Sequence, residues 1–345
     1  MALPAQASRV RSRILRLSLA AIGLYFVWPA LVKVFGSYNE LSAIRPRWFI
    51  AMAVLELFSF MSVWLLIGIA TDCRRWLLVA TSQLVGNAVS SVVPGGVAAG
   101  GPLQYTYMVQ AGEEPGAVAS GLAAMSLLSI TTLFALAALC VPLVFAMGNV
   151  DTRLERAALL GLGVFVVLLL VGIAAFTLDG LLRGGARAAQ RIRNLVLRRR
   201  PPIDGLPERA LEERNRVRAT LGKKWPWALV AAVSKWGFDY FALLAAVAAT
   251  GVRVQPVPLM LAYVAAAVLG MIPITPSGLG FVEAGLAVTL VWAGLPAADA
   301  TLATLAYRMV SYWLPLLGGV GAAVVYRRAF PNAARPIDED VEEPR

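Results

Sequence analysis

Apolar residues in this chain occur in long, nearly uninterrupted runs. Eight of these runs approach the roughly 20 residues that an α-helix needs to cross the hydrocarbon core of a bilayer. Such runs predict transmembrane helices, because a helix satisfies its backbone hydrogen bonds within its own segment. The predicted spans cover residues 14–36, 48–70, 76–93, 117–146, 157–178, 225–249, 257–275 and 300–326.

Two shorter apolar segments, at residues 97–111 and 279–293, interrupt this series. A break precedes each of them, Pro94-Gly95-Gly96 in the first case and Pro276-Ser277-Gly278 in the second, and the two breaks lie 182 residues apart. Paired helix breaks in corresponding halves of a membrane protein are typical of a transport site.

The order of long helices, break, short segment and long helix therefore predicts an internal repeat. Repeat 1 covers about 48–146, and repeat 2 covers about 225–326. Pairs such as Ser129 and Ser311 keep the same 182-residue spacing without a gap.

The relative orientation of the two repeats follows from where the basic residues lie. The N-terminal arginines, Arg74-Arg75, the loop from Arg183 to Lys224 and Arg327-Arg328 are all expected on the cytoplasmic side. Eight long spans alone would leave the basic loop outside. If the short segments also cross, the chain crosses five times between residues 48 and 225, and the repeats are inverted. The alternative is that the short segments are re-entrant hairpins and the repeats are parallel; we favour the inverted arrangement.

Composition agrees with a membrane protein, since 59% of the residues are hydrophobic and the mean hydropathy is +0.71. We therefore expect an all-α polytopic membrane protein with about eight long helices, two short broken or re-entrant segments and a single transmembrane domain over residues 1–330. The first span is expected to be a retained helix, and the acidic tail at 331–345 is expected to be disordered.

The net charge of +11 is concentrated in one loop of about residues 180–224. Between Arg183 and Lys224 there are 13 Lys and Arg residues against four Asp and Glu residues. Basic loops of multi-pass proteins mark the cytoplasmic face and contact anionic lipid headgroups, so we expect no nucleic-acid partner. The protein is expected in the cell membrane with both termini in the cytoplasm.

The sequence lacks the residues that several classes of enzyme chemistry require. The chain contains no histidine, which removes the commonest general base and metal ligand. No phosphate-binding Gly-Lys-Ser/Thr motif and no Gly-x-Ser-x-Gly motif occur either. We therefore expect no metal site, no cofactor and no enzymatic activity, and any transport must be driven by a gradient, an ion couple or a partner.

Candidate functional residues are the few ionisable side chains inside the predicted spans. An unpaired charge at the bilayer centre costs about 3 kcal/mol on insertion scales, so such residues are commonly functional. They are Glu56, Lys235, Asp239, Glu283 and Arg308.

Each of these residues has a structural and a functional interpretation. Lys235 and Asp239 are four residues apart and can form an internal ion pair, or they can line a cavity that opens to a substrate or a proton. Glu56 has no charged residue within one helical turn, so it needs a partner from another helix or must be protonated. Glu283 and Arg308 can form a structural salt bridge or a phosphate site, and the two roles are compatible.

Four uncharged residues complete the candidate binding set. Gly278 and Gly280 lie at the break before Glu283, where backbone N–H groups of a helix start can face a cavity. Tyr307 is next to Arg308 and could contact a headgroup, and Asn87 is a polar residue in the first repeat.

The second repeat carries a series of motifs, and the first repeat carries one looser motif. They are Ile272 to Glu283, Ala293-Gly294, Tyr307-Arg308, Tyr312 to Pro315 and Gly318, with Pro94 to Gly96 after Asn87 as the earlier motif. These motifs resemble the transmembrane, flippase-like region of lysylphosphatidylglycerol synthase, and the resemblance in layout covers about residues 14–328.

This resemblance implies movement of a lipid between leaflets, and the lipid could be anionic, aminoacylated or polyprenyl-linked. No synthase domain is expected after the last span. The alternative function is a non-transporting membrane scaffold whose basic loop docks a lipid-modifying or glycosyl-transferring enzyme. A membrane-embedded enzyme is the least favoured hypothesis, because the chain lacks a base and a metal site.

Overall fold

The computed structural model describes residues 44–93, 97–148, 150–196, 204–222, 224–272 and 278–331. Within these ranges the chain forms α-helices and no β-strand. The predicted first span at 14–36 and the predicted tail from residue 332 onward lie outside the described residues. So do residues 94–96 and 273–277, which contain most of the two predicted breaks.

The first half contains four helices whose ends agree with the predicted segments to within two residues. Proline begins two of them, at Pro46 and Pro115, where its missing N–H leaves no helical hydrogen bond unmade. Gly148 follows the last of them with φ of 65°, a conformation that favours glycine at a helix end. The four are α1 (Pro46–Thr71), α2 (Trp76–Val92), α3 (Val97–Gln110) and α4 (Pro115–Met147).

Three helices connect the halves. They are α5 (Thr152–Thr177), α6 (Asp179–Val196) and α7 (Leu206–Leu221). The fifth predicted span, 157–178, starts five residues earlier than expected, at Thr152. The reason is that the carboxylate of Asp151 accepts a hydrogen bond from the Arg153 N–H at 2.7 Å and caps a polar first turn.

The second half departs from prediction at two places. It contains α8 (Trp225–Ala249), α9 (Pro256–Gly270), α10 (Phe281–Trp292), α11 (Ala297–Ser311) and α12 (Trp313–Ala329). The helix in the span predicted at 257–275 ends at Gly270, before the predicted end. The span predicted at 300–326 is divided at Tyr312, because Pro315 has no N–H to donate to the Ser311 carbonyl.

Five stretches of the described chain are long and apolar enough to cross a membrane. They are α1, α4, residues Thr152–Ala175 of α5, α8, and α11 with α12. Side chains such as Leu160 and Leu170 on α5 are 72% and 59% exposed, which suits contact with lipid tails. The protein is thus a multi-pass membrane protein. Of the eight predicted spans, these five are long within the described residues, the spans at 76–93 and 257–275 are the shorter apolar helices α2 and α9, and the first lies outside the described residues. The short segment α10 is also an apolar helix.

The centre of the bundle is the contact between α1 and α8. Ser59 donates to the Lys235 carbonyl at 2.9 Å, and the rings of Phe58 and Phe238 lie 5.4 Å apart. Further along α1, Leu66 packs with Ala228 and other small residues near the start of α8. The later residue of α1, Leu66, thus contacts an earlier residue of α8 than Ser59 does, so the two helices are antiparallel.

Each half also contains a tight helical hairpin. In the first, α3 returns along α2, and a Cβ added to Gly86 would lie 2.8 Å from the Gly100 carbonyl oxygen. In the second, α10 returns along α9, and Thr289 donates to the Ala262 carbonyl at 3.3 Å. Small residues let the backbones of each hairpin approach closely, as is common between helices in membranes.

The packing of one half recurs in the other. Within the halves, α1 packs against α4 as α8 packs against α11, and the hairpin pairs α2–α3 and α9–α10 correspond. Between the halves, α4 packs against α9 as α12 packs against α2, and α4 against α8 as α11 against α1. The contact α1–α8 is its own counterpart when the two halves are exchanged.

The two ends of the bundle are distinguished by their contacts. At the end that we call the polar end, Arg75 bonds to Glu113 at 2.5 Å and Lys224 to Asp72 at 2.6 Å. At the opposite end, the guanidinium of Arg153 lies 5.1 Å from the Trp292 ring centre. The loop after α3 therefore lies at the polar end, and the loop after α10 lies at the other.

We predict that Gly319→Ala destabilises the protein by about 1–3 kcal/mol, because overpacking a tight contact has that cost. A Cβ at Gly319 would lie 2.3 Å from the Ala88 Cβ and 2.6 Å from the Leu84 carbonyl oxygen, where α12 crosses α2. Gly321, two residues further on, has nothing within 4 Å of such a Cβ, so Gly321→Ala is the matched control. Thermal unfolding of detergent-solubilised protein measures both. Equal stability of the two variants would contradict the close crossing.

Candidate functional site

A cavity of about 730 Å³ lies between the two halves of the bundle. Helices α1, α2, α4, α8, α9 and α11 supply most of its wall, and α10 adds two apolar residues. Its volume falls within the range of about 300–1,000 Å³ that is usual for small-molecule sites. Six of the nine residues predicted as binding residues line it, namely Glu56, Asn87, Lys235, Asp239, Tyr307 and Arg308.

Equivalent positions of the two repeats face this cavity together. Met125 and Tyr307, Ser126 and Arg308, and Ser129 and Ser311 each stand 182 residues apart, and all six side chains line it. The cavity therefore lies where the two halves meet. Its chemistry is unequal, because repeat 2 supplies an Arg and a Tyr where repeat 1 has a Ser and a Met.

The carboxylate of Asp239 is held by two tyrosines. The Tyr307 hydroxyl donates to Oδ1 at 2.5 Å, and the Tyr263 hydroxyl donates to Oδ2 at 2.8 Å. The donors come from α11 and α9, so three helices meet at this one side chain. Asp239 is consequently fixed in position as a hydrogen-bond acceptor at the cavity wall.

Lys235 is one turn before Asp239 on α8 and faces the same cavity. The two side chains do not form a direct ion pair; the Lys235 ammonium lies over the Trp236 ring, and the Asp239 carboxylate faces the tyrosines. The Trp236 indole N–H donates to the Ser129 carbonyl at 2.8 Å, which fixes the ring against α4. Both side chains line the cavity, and their role toward a substrate or a proton stays a prediction.

Glu56 is 3% exposed and also lines the cavity. Its Oε1 atom is buried and has no hydrogen-bond partner among the described residues. The charged groups that act on Glu56 are the Asp239 carboxyl group and the cations Lys235 and Arg308. The sequence predicts that Glu56 has a partner from another helix or is protonated; Lys235 and Arg308 are the cations that act on it, and Asp239 is a second acid beside it.

Glu283 and Arg308 form the predicted salt bridge. Arg308 Nε donates to Glu283 Oε1 at 2.8 Å, and both side chains are largely shielded from solvent, at 16% and 10% exposure. Oε2 of Glu283 accepts from the Gly280 N–H at 2.6 Å, so one carboxylate joins the start of α10 to α11. Arg308 lines the cavity, while Glu283 lies outside the lining and fixes Arg308 through the salt bridge.

Gly278 and Gly280 lie at the start of α10, outside the cavity lining. Their φ values of 72° and 82° are in the region that favours glycine, so both positions need this residue type to turn the chain into α10. A Cβ at Gly278 would in addition lie 2.2 Å from a methyl carbon of Val282. These glycines shape the helix start that positions Glu283.

Some cavity residues were not identified from the sequence. Tyr263 was overlooked because a tyrosine in an apolar helix usually packs or lies at an interface. Ser129 and Ser311 were recognised as a repeat pair, and their equal spacing was the signal that both face the centre. The small polar residues Ser59 and Gln83 also line the cavity and give no comparable signal, whereas Ser126 has the same 182-residue spacing to Arg308.

Comparison with known proteins identifies one family. The family model described as the lysylphosphatidylglycerol synthase TM region matches residues 13–319, nearly the whole chain. The resemblance noted from the sequence motifs is confirmed by this match. No curated protein matches the chain.

We predict that Tyr307→Phe lowers the free energy of unfolding by about 1–3 kcal/mol, because it leaves one buried oxygen of Asp239 without a donor. Tyr105→Phe is the control, since Tyr105 is half-buried on α3 and its hydroxyl makes no hydrogen bond among the described residues. Denaturant unfolding in detergent compares the two variants. A loss in the control as large as that in Tyr307→Phe would contradict the assigned bond.

Proposed function

We propose that this chain, which belongs to the lysylphosphatidylglycerol synthase transmembrane-region family, moves a lipid between the leaflets of its membrane. The polar headgroup passes through the cavity, and the acyl or prenyl tails stay in the bilayer. The protein acts as a carrier and makes no chemical change in the lipid.

The observation that carries this proposal is a cavity lined by charged residues on helices long enough to span the membrane. A headgroup that crosses the hydrocarbon core loses its hydration, and a polar group without partners there costs several kcal/mol. Lys235, Arg308, Glu56 and Asp239 offer such partners in place of water. Ionisable residues within membrane helices are rarely retained without this kind of role.

The charges of the cavity suggest which headgroups it accepts. Lys235 and Arg308 suit a phosphate, because both are cations at the cavity wall. Glu56 and Asp239 suit an amine. The substrate class is therefore a lipid with an anionic, aminoacylated or polyprenyl-linked headgroup, and both signs of charge in one cavity favour a headgroup that carries both.

We further propose that the two repeats are inverted in the membrane. Three features support this: the antiparallel contact of α1 with α8, the recurrence of each packing pair in the other half, and the loops after α3 and α10 at opposite ends. Inverted repeats provide alternating access because the same hinge geometry exists on both sides of a central site.

The orientation that follows puts the polar end of the bundle in the cytoplasm. The loop with Arg74 and Arg75, the basic loop and the end of α12 with Arg327 and Arg328 all belong to this end or continue from it. Basic residues are enriched on the cytoplasmic side of multi-pass proteins. The protein would lie in the cell membrane with both termini in the cytoplasm.

The basic loop is proposed to rest on anionic lipid headgroups. Its helix α6 has an apolar stripe in which Leu181, Ile192 and Leu195 are all more than half exposed, whereas Arg183, Arg187 and Arg191 lie on the opposite side. Such a helix lies in the membrane interface, with its apolar side among the acyl chains. The Arg214 guanidinium of α7 bonds to Asp179 at 2.6 Å and holds the pKa of that carboxyl below its usual value.

A scaffold for a lipid-modifying or glycosyl-transferring enzyme is the alternative function. It would use the α6–α7 hairpin as its docking surface and would not need the charged cavity. The transporter hypothesis therefore requires the charged cavity, whereas the scaffold hypothesis requires the α6–α7 hairpin.

We predict that filling the cavity stops lipid movement. Ser126 is exposed on α4 and lines the cavity, so Ser126→Trp inserts a large ring without overpacking the core, and translocation should fall by at least about tenfold. Ala123 is exposed on the same helix outside the cavity lining, so Ala123→Trp is the matched control. The measurement is headgroup accessibility in liposomes over a panel of anionic, aminoacylated and polyprenyl lipids.

The same liposomes distinguish the transporter from the scaffold. A transporter loses activity in Glu283→Gln and Arg308→Ala while both variants still fold. A scaffold tolerates both substitutions and fails in cells when the loop from Arg183 to Lys224 is deleted. Wild-type protein that moves none of the lipids, or that releases a product from a labelled lipid, would overturn the proposed function.

A further inference from the structure

We propose that Glu56 binds and releases a proton during each cycle, so that lipid movement is coupled to a proton gradient. This inference rests on the proposed function, because it assigns the energy source of the same cavity. Three observations support it: Glu56 is buried, its Oε1 atom has no hydrogen-bond donor among the described residues, and Asp239 accepts two hydrogen bonds.

Glu56 sits at the middle of the α1–α8 contact, three residues before the Ser59 bond to α8. It is almost fully buried, it lines the cavity, and its Oε1 atom has no hydrogen-bond partner in the described chain. An ionised carboxylate oxygen without a donor is strongly disfavoured in such a place. A carboxylic acid is tolerated much better, because it carries no net charge.

The hydrogen bonds of Asp239 indicate which of the two neighbouring acids holds the proton. Both Asp239 oxygens accept from phenol hydroxyls, Tyr307 on one side and Tyr263 on the other. Two accepted bonds are the arrangement that stabilises an ionised carboxylate. Two neighbouring acids do not readily ionise together, so the proton resides on Glu56 in this arrangement of the helices.

The other groups around Glu56 complete its electrostatic surroundings. From α8 it faces Lys235 and Asp239, from α9 Tyr263, and from α11 Tyr307 and Arg308. The residues that α2 and α4 contribute to the cavity, among them Asn87, Gln83, Ser126 and Ser129, are neutral. Two cations therefore stand ready to stabilise an ionised Glu56 once water enters.

Glu283 does not share this property, although it is also buried. One of its oxygens accepts from Arg308 and the other from the Gly280 N–H. Its carboxylate is thus satisfied in the ionised form, and it serves as the internal comparison for Glu56.

The coupling step is a simple proton transfer. When the cavity opens to one side, the O–H bond of Glu56 breaks, its electron pair stays on the carboxylate, and the proton passes to water on that side. The cavity then turns to the other side with the lipid headgroup bound and with the ionised carboxylate balanced by Lys235 and Arg308. There the lipid leaves, a hydronium ion returns a proton to the carboxylate, and the empty cavity turns back with Glu56 protonated. One proton then crosses for each turn of the cycle.

The experiment uses full-length protein in vesicles of phosphatidylcholine and phosphatidylglycerol with a trace of fluorescent acyl-labelled phosphatidylglycerol. Dithionite reports the leaflet of the label, and a pH dye reports the lumen. With one proton per lipid, a gradient of one pH unit should shift the leaflet distribution by about tenfold, since one pH unit is about 1.4 kcal/mol. Glu56→Gln should abolish this shift, and Glu56→Asp, which still titrates, should keep it.

The outcomes separate the two proposals. Wild-type protein that moves lipid with no response to the gradient, or a Glu56→Gln variant that keeps the response, overturns proton coupling and leaves the proposed function intact. Wild-type protein that moves none of the panel lipids overturns the proposed function and, with it, coupling.

Infrared spectroscopy tests the proton itself without any transport. At neutral pH the wild-type protein should show a carboxylic-acid C=O band that disappears in Glu56→Gln and persists in Glu283→Gln. Identical carboxylic-acid bands in the wild type and in Glu56→Gln would show that Glu56 is ionised and would overturn the inference.

Discussion

Charged side chains at membrane depth need partners from other helices, and this requirement organises the molecule. Glu56 on α1 has Lys235 of α8 and Arg308 of α11 as the cations that act on it from other helices. Asp239 in turn needs donors from α9 and α11, and it finds them in Tyr263 and Tyr307. Removing any one helix would leave a charge or a polar atom unsatisfied, at a cost of several kcal/mol.

Small residues make these shared contacts possible. Within the first hairpin, Gly86 and Gly100 bring α2 and α3 together, and Gly319 does the same where α12 crosses α2. In lipid there is no hydrophobic drive between apolar helices, so close packing of this kind supplies much of the association. The same packing pairs recur in both halves, and the unequal residues at positions such as Ser126 and Arg308 make the two sides of the cavity chemically different.

Much of this architecture follows from the sequence. The apolar runs predicted α1, α2, α4 and α8 to within about two residues, since length and composition alone decide such helices in a membrane. Ionisable residues are so scarce in these runs that choosing Glu56, Lys235, Asp239 and Arg308 led directly to one cavity.

Other features depend on three-dimensional contacts that no local pattern records. The partner of Asp239 is a pair of tyrosines and not Lys235, because the α9 and α11 side chains approach it from across the bundle. The division at Tyr312 was signalled by Pro315, but apolar residues on both sides suggested one long span. Tyr263 gave no sign in sequence, since its role exists only through Asp239.

The central claim is that two halves of opposite orientation enclose the charged cavity, and cysteine labelling of two equivalent loops tests it most directly. Pro115 and Ala297 are 182 residues apart, both are exposed, and both begin the helix that follows the hairpin. Each would be replaced by cysteine in a chain without Cys73 and Cys140, and exposed to a membrane-impermeant maleimide in intact and in permeabilised cells. The account predicts that position 297 is labelled in intact cells and position 115 only after permeabilisation. Labelling of both from the same side would contradict it.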